Sequence, residues 1–349
     1  MHSSKAPLIS VILPFLNAQK WLGEALASVL AQDCADLEVI AIDDGSRDAS
    51  AWQVEQAGQA GLPVTLIRNE TNLGIVASLN RGLDVARGRY IARMDADDVC
   101  LPHRFSRQLA YLRSTGVDLC GSWFVEFGQG PRRTTRWPHT EAALRAAMLF
   151  QNTICHPTIL ARREVFDRFR YREDYRLAED YDLFVRAGSE FRLANVPEPL
   201  LRYRRHPQQA TQARRSAMEE VTRRIRGEAL RAQSIEVAPE ELRLHNLIRA
   251  PSSIECADDL HGIEAWLLKL LDTRTDEDAR HVVASQWVRA CIRAAPLGQT
   301  MWRAFRSSPL YELHGAGLAT SVDMYLLSLC RLSYASKPFA TLRRLGLSS

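Results

Sequence analysis

The sequence predicts an α/β fold built on a mostly parallel central sheet. Over the first hundred residues, short apolar runs alternate with segments whose apolar residues recur at helical spacing. Clusters of polar residues directly follow the apolar runs, where an open α/β sheet places its ligand.

The elements follow in order. "LISVILPF" (8–15) is a continuous apolar run, as in a strand buried on both faces. Asn17 can cap the next segment, where Trp21, Leu22, Ala25, Leu26, Val29 and Leu30 recur with helical spacing. "LEVIAI" (37–42) is a second buried strand and runs into "DDGSRDAS"; residues 48–59 can form a helix. "PVTLIR" (63–68) is a third strand, followed by "NETNLG" and a helix marked by Ile75, Leu79 and Leu83 that ends near Gly88. "YIARM" (90–94) is the fourth strand. Right-handed crossovers bring the carboxyl ends of these strands to one edge. That edge carries Pro14-Phe15-Leu16-Asn17, Asp43-Asp44-Gly45-Ser46, Arg68-Asn69 and Asp95-Ala96-Asp97-Asp98.

Beyond residue 100 the pattern loosens. Residues 102–114 read as a helix with Pro102 in its first turn, and 117–127 as a strand. "QGPRRTTRWPHT" (129–140) reads as a basic loop, and "NTICHPTILARREVF" passes from extended to helical. "LAEDYDLFVRAG" (177–188) is a helix with acidic residues in its first turn, where the dipole favours them. From about residue 216 the chain is mostly helical, with turns near Pro239, Pro251, Pro296 and Pro309. The apolar spacing in 318–334 suits core packing, with an interfacial helix as the alternative.

Composition narrows the function. The 349 residues allow one large domain or two, and a net charge of +4 is too small to argue for nucleic acid. Arg supplies 41 of the 45 basic residues. The Arg-rich stretch 202–231 is interleaved with Glu219, Glu220 and Glu228 and lacks a recognisable nucleic-acid module. The seven cysteines form no CxxC pair and their number is odd, which fits buried thiols in a reducing compartment. No signal-peptide core and no run of eighteen apolar residues is present, so the expected location is cytoplasmic, with peripheral contact at the inner membrane as a second placement.

The acidic clusters carry the chemistry. In an extended segment Asp95 and Asp97 can point the same way and share a ligand. Hard divalent cations take oxygen ligands, and Mg²⁺ or Mn²⁺ commonly completes its shell with substrate phosphates. The plainer alternative is that Asp97 or Asp98 caps the following helix. Asp43-Asp44-Gly45-Ser46 is either a turn or a set of acceptors for the base and ribose of a nucleoside. Glu179 and Asp180, with Asp182 nearby, either stabilise a helix start or supply a general base. His156 in "CHPT" and His206 in "YRRHP" are candidate diphosphate or metal contacts, with Arg202, Arg204 and Arg205 favouring His206.

Six stretches together resemble successive signatures of glycosyltransferase family 2: "VILPFLNAQKWLGEALASVLAQ", "VIAIDDGSRDAS", "NETNLGIVASLNRGLDVARGRYIARMDADD", "HPTILARREVF", "AEDYDLFVRAG" and "YRRHP". The resemblance covers about residues 7 to 210 and implies the GT-A fold, a Rossmann-like nucleotide-diphospho-sugar transferase. It implies a GT-A catalytic domain over 1–215, with 1–100 as the nucleotide-binding half and 101–215 as the acceptor-binding half. Residues 216–349 then form a helical C-terminal extension. It further implies transfer of a sugar from a nucleotide-sugar donor, UDP by default, to an acceptor hydroxyl with inversion, assisted by Mn²⁺ or Mg²⁺. The acceptor would be a saccharide or lipid-linked molecule in cell-surface polysaccharide or glycolipid assembly.

Carried over by position, Pro14, Phe15 and Asn17 would line the nucleotide pocket. Asp44 would contact the base, with Asp43 beside it. Asn72 and Gly74 fit the family's NxG turn near the donor. Asp95 would contact ribose or sugar, with Ala96 next to it, and Asp97 would ligate the metal, with Asp98 in the same metal cluster. Asp180 resembles the catalytic base, with Glu179 as the second choice, and His206 sits where some members place a diphosphate or metal contact. One departure stands out. Arg93 lies just before the acidic cluster, where the family often has apolar or aromatic residues, and it either faces away from the donor or touches it. The competing readings are a catalytically silent protein that kept the fold and a nucleotidyltransferase. The second lacks its usual glycine-rich phosphate cradle after the first strand.

Overall fold

The computed structural model describes residues 6–34, 36–207, 215–315, 317–333 and 336–338. It divides into two compact units, Met1–Leu144 with Asn152–Ile225 and Arg145–Gln151 with Arg226–Ser349.

The first unit opens with the predicted alternation: β1 (Ile9–Phe15), α1 (Leu22–Leu30), β2 (Leu37–Asp43), α2 (Ser50–Gln59), β3 (Val64–Arg68), α3 (Ile75–Val85) and β4 (Tyr90–Arg93). It continues with β5 (Val99–Cys100), α4 (Arg104–Thr115), β6 (Leu119–Gly128), β7 (Arg133–Thr135), α5 (Glu141–Ala147), β8 (Leu160–Arg162), α6 (Arg163–Arg168), α7 (Glu179–Ala187) and β9 (Leu193–Arg205). Among the described residues these strands make one nine-stranded sheet in the order β3-β2-β1-β4-β8-β6-β9-β5, with β7 paired to β6.

The first four strands are parallel, with Ile9 opposite both Leu37 and Tyr90, and Val39 opposite Val64. β8 then pairs antiparallel with β4 and β6, while β6 and β9 run parallel. β1, β2 and β4 are buried throughout, as continuous apolar runs require, whereas β3 has β2 as its single neighbour among the described residues and is only partly covered.

The sheet buries both faces. Val11, Leu13, Val39, Ala41 and Ala92 pack in one cluster with Leu22, Leu26 and Val29 of α1 and with Phe105 and Leu112 of α4. On Gly82 of α3, a Cβ would stand 2.8 Å from Ile12 and 2.9 Å from Ile42, so the missing side chain lets α3 lie close on the sheet.

Three sequence expectations are corrected here. Asn17 does not cap α1: it sits at φ 49, a conformation Asn tolerates, and its Oδ1 accepts from Arg47 N at 2.9 Å. Helix α4 starts at Arg104 with no side-chain cap, so neither Asp97 nor Asp98 caps it. The basic loop 129–140 contains β7, which escaped the pattern because Arg133 and Thr134 are exposed and, among the described residues, it pairs with β6 alone. Residues 208–211, the end of the "PLLRYRRHPQQAT" segment, lie outside the described residues.

Helix α8 (Arg215–Ala232) is followed in the second unit by α9 (Pro239–Leu247), α10 (Ala257–Asp272), α11 (Glu277–Arg293), α12 (Gln299–Ser307), α13 (Pro309–His314) and α14 (Leu318–Cys330). Trp266, Leu267, Val283, Trp287, Met301 and Phe305 are fully or almost fully buried in it. His245 is also fully buried, and its ring bonds are complete: Nε2 to Leu149 O at 2.8 Å and Nδ1 to Trp266 Nε1–H at 3.0 Å. Burial pushes this imidazole down to about 4, so it is a neutral structural group. Among the described residues no helix is long and apolar enough to cross a membrane.

Candidate active site

The site grows from the carboxyl ends of β1, β2 and β4. The loop after β1 is tied to the loop after β2: Asn17 N donates to Ser46 Oγ at 2.9 Å, and Ser46 N donates to Asp43 Oδ1 at 2.8 Å. Pro14 and Phe15 are buried at the end of β1, and Asp44 N bonds Phe15 O at 2.9 Å. Asp44 turns its carboxylate toward the next loop. Oδ1 accepts from Asn69 Nδ2 and Leu73 N, each at 2.8 Å, and Oδ2 accepts from Gly74 N at 3.0 Å. Asp43-Asp44 is therefore a turn and also the anchor of the 69–74 loop. Gly45 and Gly74 sit at φ 83 and 91, in the left-handed region that glycine adopts at least cost. Asn72 is exposed at the rim, and Asn69 is buried.

The acidic cluster hangs between β4 and β5. Asp95, Asp97 and Asp98 each offer an oxygen within 4.8 Å of the others. The end of β9 clamps this loop. Arg204 N donates to Asp98 Oδ1 at 2.8 Å and Arg204 Nε to the Asp97 carbonyl at 2.7 Å. His206 then follows, with Nε2 2.8 Å from Asp97 Oδ2 and its ring packed against Trp21, 4.1 Å between centroids and tilted by 31°.

Asp98 is 1% exposed, and its Oδ2 has no hydrogen-bond partner among the described residues. Burial, with the charges of Asp95 and Asp97, pushes its carboxyl well above the usual range. Three oxygens gathered this closely, one of them buried and unsatisfied, fit a hard divalent cation.

Arg93, undecided from sequence, is now placed. It is 6% exposed, at the end of β4, with Nη2 2.5 Å from Asp95 Oδ1. Its charge also acts on Glu179 and Asp180 at the start of α7. Asp180 Oδ2 accepts from Asn152 Nδ2 at 2.7 Å, and Oδ1 from Tyr181 N at 2.7 Å. Burial, and then the charge of Glu179, push Asp180 up to about 7. Glu179 is raised by burial as well, with Asp95 adding to it, and its Oε2 accepts from Leu177 N at 3.0 Å. Leu177 stands at φ 87, an uncommon conformation for leucine, and so marks strain at the entry to α7.

Two sequence candidates have their polar atoms engaged by other protein groups. Asp182 is 1% exposed and locked between Arg172 and Arg186, so it is a structural ion pair. His156 is buried with Nε2 2.8 Å from the Tyr171 hydroxyl, and burial, then the Arg93 charge, push its imidazole well below the usual range, as for a core histidine. Sequence reasoning missed Trp21, Asn152 and the backbone of Arg204. Each reaches the site from a segment remote in sequence, and no local pattern signals such a contact.

A mixed sheet with a parallel front half, polar loops at its strand ends and an acidic cluster beyond β4 is the architecture of the GT-A fold. Residues 10–170 match glycosyl transferase family 2. An uncharacterized glycosyltransferase of Haemophilus influenzae is 32% identical over 235 residues, covering 64% of this chain and 73% of the relative. The amylovoran biosynthesis glycosyltransferase AmsE of Erwinia amylovora is 30% identical over 202 residues, covering 56% of this chain and 76% of the relative. The mannosyltransferase PcManGT of Pyrobaculum calidifontis, solved with GDP-Man and Mn²⁺, shares the fold with a TM-score of 0.54 at 17% identity, over 94% of this chain and 87% of that one. The chain belongs to glycosyltransferase family 2 and is a glycosyltransferase.

Proposed function

We propose that this glycosyltransferase moves a sugar from a nucleoside-diphosphate donor, UDP first, to an acceptor hydroxyl with inversion at the anomeric carbon. The observation that carries the reading is the pairing of two carboxylate groups with different tasks. Asp95, Asp97 and Asp98 gather at the end of β4, while Asp180 is held separately by Asn152 and has its proton affinity raised toward neutrality. Residues 1–215 would be the catalytic part, with 1–100 taking the nucleotide and 101–215 the acceptor, followed by the helical extension 216–349.

The geometry supports the following division of roles. Pro14, Phe15 and Asn17 floor the nucleotide pocket, with Asp43 fixing the adjacent turn. Asp44 holds the Asn72–Gly74 rim and keeps an acceptor position on Oδ2 for the base. Asp95 and Ala96 border the ribose and sugar. Asp97 and Asp98, with His206 against Asp97, would hold Mn²⁺ or Mg²⁺, which when bound offsets negative charge on the departing diphosphate. Asp180 takes the acceptor proton through an oxygen that Asn152 keeps oriented, and Glu179 keeps it from ionising early. The acceptor oxygen bonds to C1 as the bond from C1 to the diphosphate oxygen breaks on the opposite face. Alignment of two bound substrates supplies much of the acceleration.

The family relative in amylovoran biosynthesis supports a role in polysaccharide or glycolipid assembly. Helix α14 supports peripheral contact with a membrane face: Leu318, Val322, Tyr325, Leu326 and Leu329 are exposed at helical spacing. Sedimentation with anionic vesicles tests this contact, and a chain left wholly in the supernatant removes it.

Calorimetric titration of UDP, GDP and dTDP, each with Mn²⁺ and again with EDTA, tests the donor. One nucleotide binding only with metal supports the reading, and Asp97→Ala should abolish that binding. Asp180→Asn should bind the nucleotide normally and lose transfer; near-normal transfer in this variant would remove Asp180 as the base.

A further inference from the structure

The ribbon made by β7, β6 and β9 carries a row of cations on one face. Residues opposite each other in paired strands share a face. Val125 of β6 stands opposite Thr134 of β7 and Arg202 of β9, and two residues further on Phe127 stands opposite Arg204. The same alternation brings Arg136, one residue past β7, beside Trp123. The contacts agree. The Arg202 and Arg204 guanidiniums lie over the Phe127 ring at 4.3 and 4.4 Å from its centre, and Arg136 lies over Trp123 at 5.5 Å.

The acidic residues of these strands are engaged elsewhere. The three strands hold two, Glu126 and Glu198. Glu126 turns to the opposite face and meets Arg205 at 2.8 Å, and Glu198 lies 3.8 Å from Arg107. Arg204 reaches Glu24 of α1. Arg136 and Arg202 have no ion pair and no side-chain hydrogen bond among the described residues; each has its aromatic ring alone. A ring contact steadies a guanidinium without using its five N–H donors, so both forks are held in place and remain open to an anion.

The row has a direction. Arg204 is the residue that clamps the acidic loop, with its N–H on Asp98 Oδ1 at 2.8 Å and its Nε on the Asp97 carbonyl at 2.7 Å. One end of the row therefore abuts the acidic cluster. From Phe127 back to Trp123 it runs four residues, about 13 Å at the ordinary rise of a strand. A single phosphate meets one open fork and leaves the other bare. A ligand that meets both is longer than one sugar residue and carries more than one anionic group.

We propose that this face of the β7-β6-β9 ribbon is an acceptor subsite for an acidic saccharide chain, gripped by Arg202 beside the acidic cluster and by Arg136 further along. This rests on the reading of residues 101–215 as the acceptor-binding half. It adds the chemical class of the acceptor and the two side chains that select it.

The experiment needs no knowledge of the natural acceptor. Polygalacturonate, and dextran as its neutral counterpart, are titrated calorimetrically into the full-length protein at low salt, where exposed charges are least screened. Polygalacturonate should bind and dextran should not. The double variant Arg136→Gln, Arg202→Gln should weaken polygalacturonate binding at least about tenfold, as expected when two charge-assisted forks are lost. Arg133→Gln removes the same charge from the opposite face, where Arg133 stands opposite Glu126, and should change binding less than about twofold. Should the double variant fail to fold, each single variant gives the same contrast with Arg133→Gln. No binding of polygalacturonate, equal binding by parent and double variant, or an equal loss in Arg133→Gln overturns the proposal. So does binding of phosphatidylglycerol vesicles through the same two arginines without binding of the saccharide, which would make the face a membrane contact. UDP, GDP and dTDP with Mn²⁺ are titrated into the same preparations. Nucleotide binding lost in the double variant would move the two arginines to the donor pocket and also overturns the proposal. A parent that binds no nucleotide removes the donor reading and leaves the saccharide contrast standing.

Discussion

His206 Nε2 lies 2.8 Å from Asp97 Oδ2, and the same ring packs against Trp21 with 4.1 Å between centroids. One aromatic contact thus fixes the imidazole that fixes the carboxylate. His206→Ala should weaken Mn²⁺-dependent nucleotide binding by about tenfold, the usual loss when the partner of a metal-binding group is removed. Trp21→Ala should act in the same direction and less strongly, since it works only through His206. Calorimetry with UDP and Mn²⁺ checks both; an unchanged affinity in Trp21→Ala would show that the contact does not position the ring.

Asp44 receives three hydrogen bonds from the 69–74 loop. Asp44→Ala leaves the N–H groups of Leu73 and Gly74 without their acceptor, at a cost of about 2–4 kcal/mol to folding. Nucleotide binding should fall with it, because the pocket rim is what those bonds hold. Urea unfolding and nucleotide titration of the same preparation measure the two effects together.

The Asp180 carboxyl is pushed up to about 7 by burial and by Glu179. A base must be ionised, so the transfer rate should rise about tenfold per pH unit below that value and level off above it. The linkage to stability has the opposite sense. A carboxyl whose folded-state affinity for protons exceeds its unfolded value favours the fold at low pH, and that contribution is lost as pH rises from about 4 through about 7. Asp180→Asn should therefore melt higher than the parent at pH 8 and close to it at pH 4. Scanning calorimetry at the two values decides it.

Arg104 is fully buried with its guanidinium on Arg93 O, Ile159 O and Gln108 Oε1. Arg104→Ala should cost about 3–5 kcal/mol, combining a large cavity with two carbonyls left unpaired. The loss should appear as a lower denaturation midpoint in urea.

The front half of the fold was legible because buried parallel strands leave continuous apolar runs and their helices leave a clear period. The acidic loops were legible for the same reason: each follows a strand end directly, so Asp44 and Asp95–Asp98 could be assigned to the same edge of the sheet from sequence order alone. Arg93 was visible as an anomaly, but its direction was not, because face assignment at the last residue of a short strand depends on the neighbours β1 and β8 supply. His156 and His206 could not be separated by local sequence. One meets Tyr171 and the other Asp97, and both contacts span folds of the chain that no spacing rule records. β7 and the partners Trp21 and Asn152 were lost the same way, through contacts set by tertiary structure.

The Trp21–His206 contact has an optical consequence. An indole in close contact with an imidazole loses part of its fluorescence, and His206 is bonded to the carboxylate expected to meet the metal. The chain holds seven tryptophans, so the signal is isolated as the difference between the parent and Trp21→Phe. That difference spectrum should change when Mn²⁺ and nucleotide are added. The protein would then carry its own dye for site occupancy, and candidate donors could be screened in a cuvette before any sugar transfer is assayed.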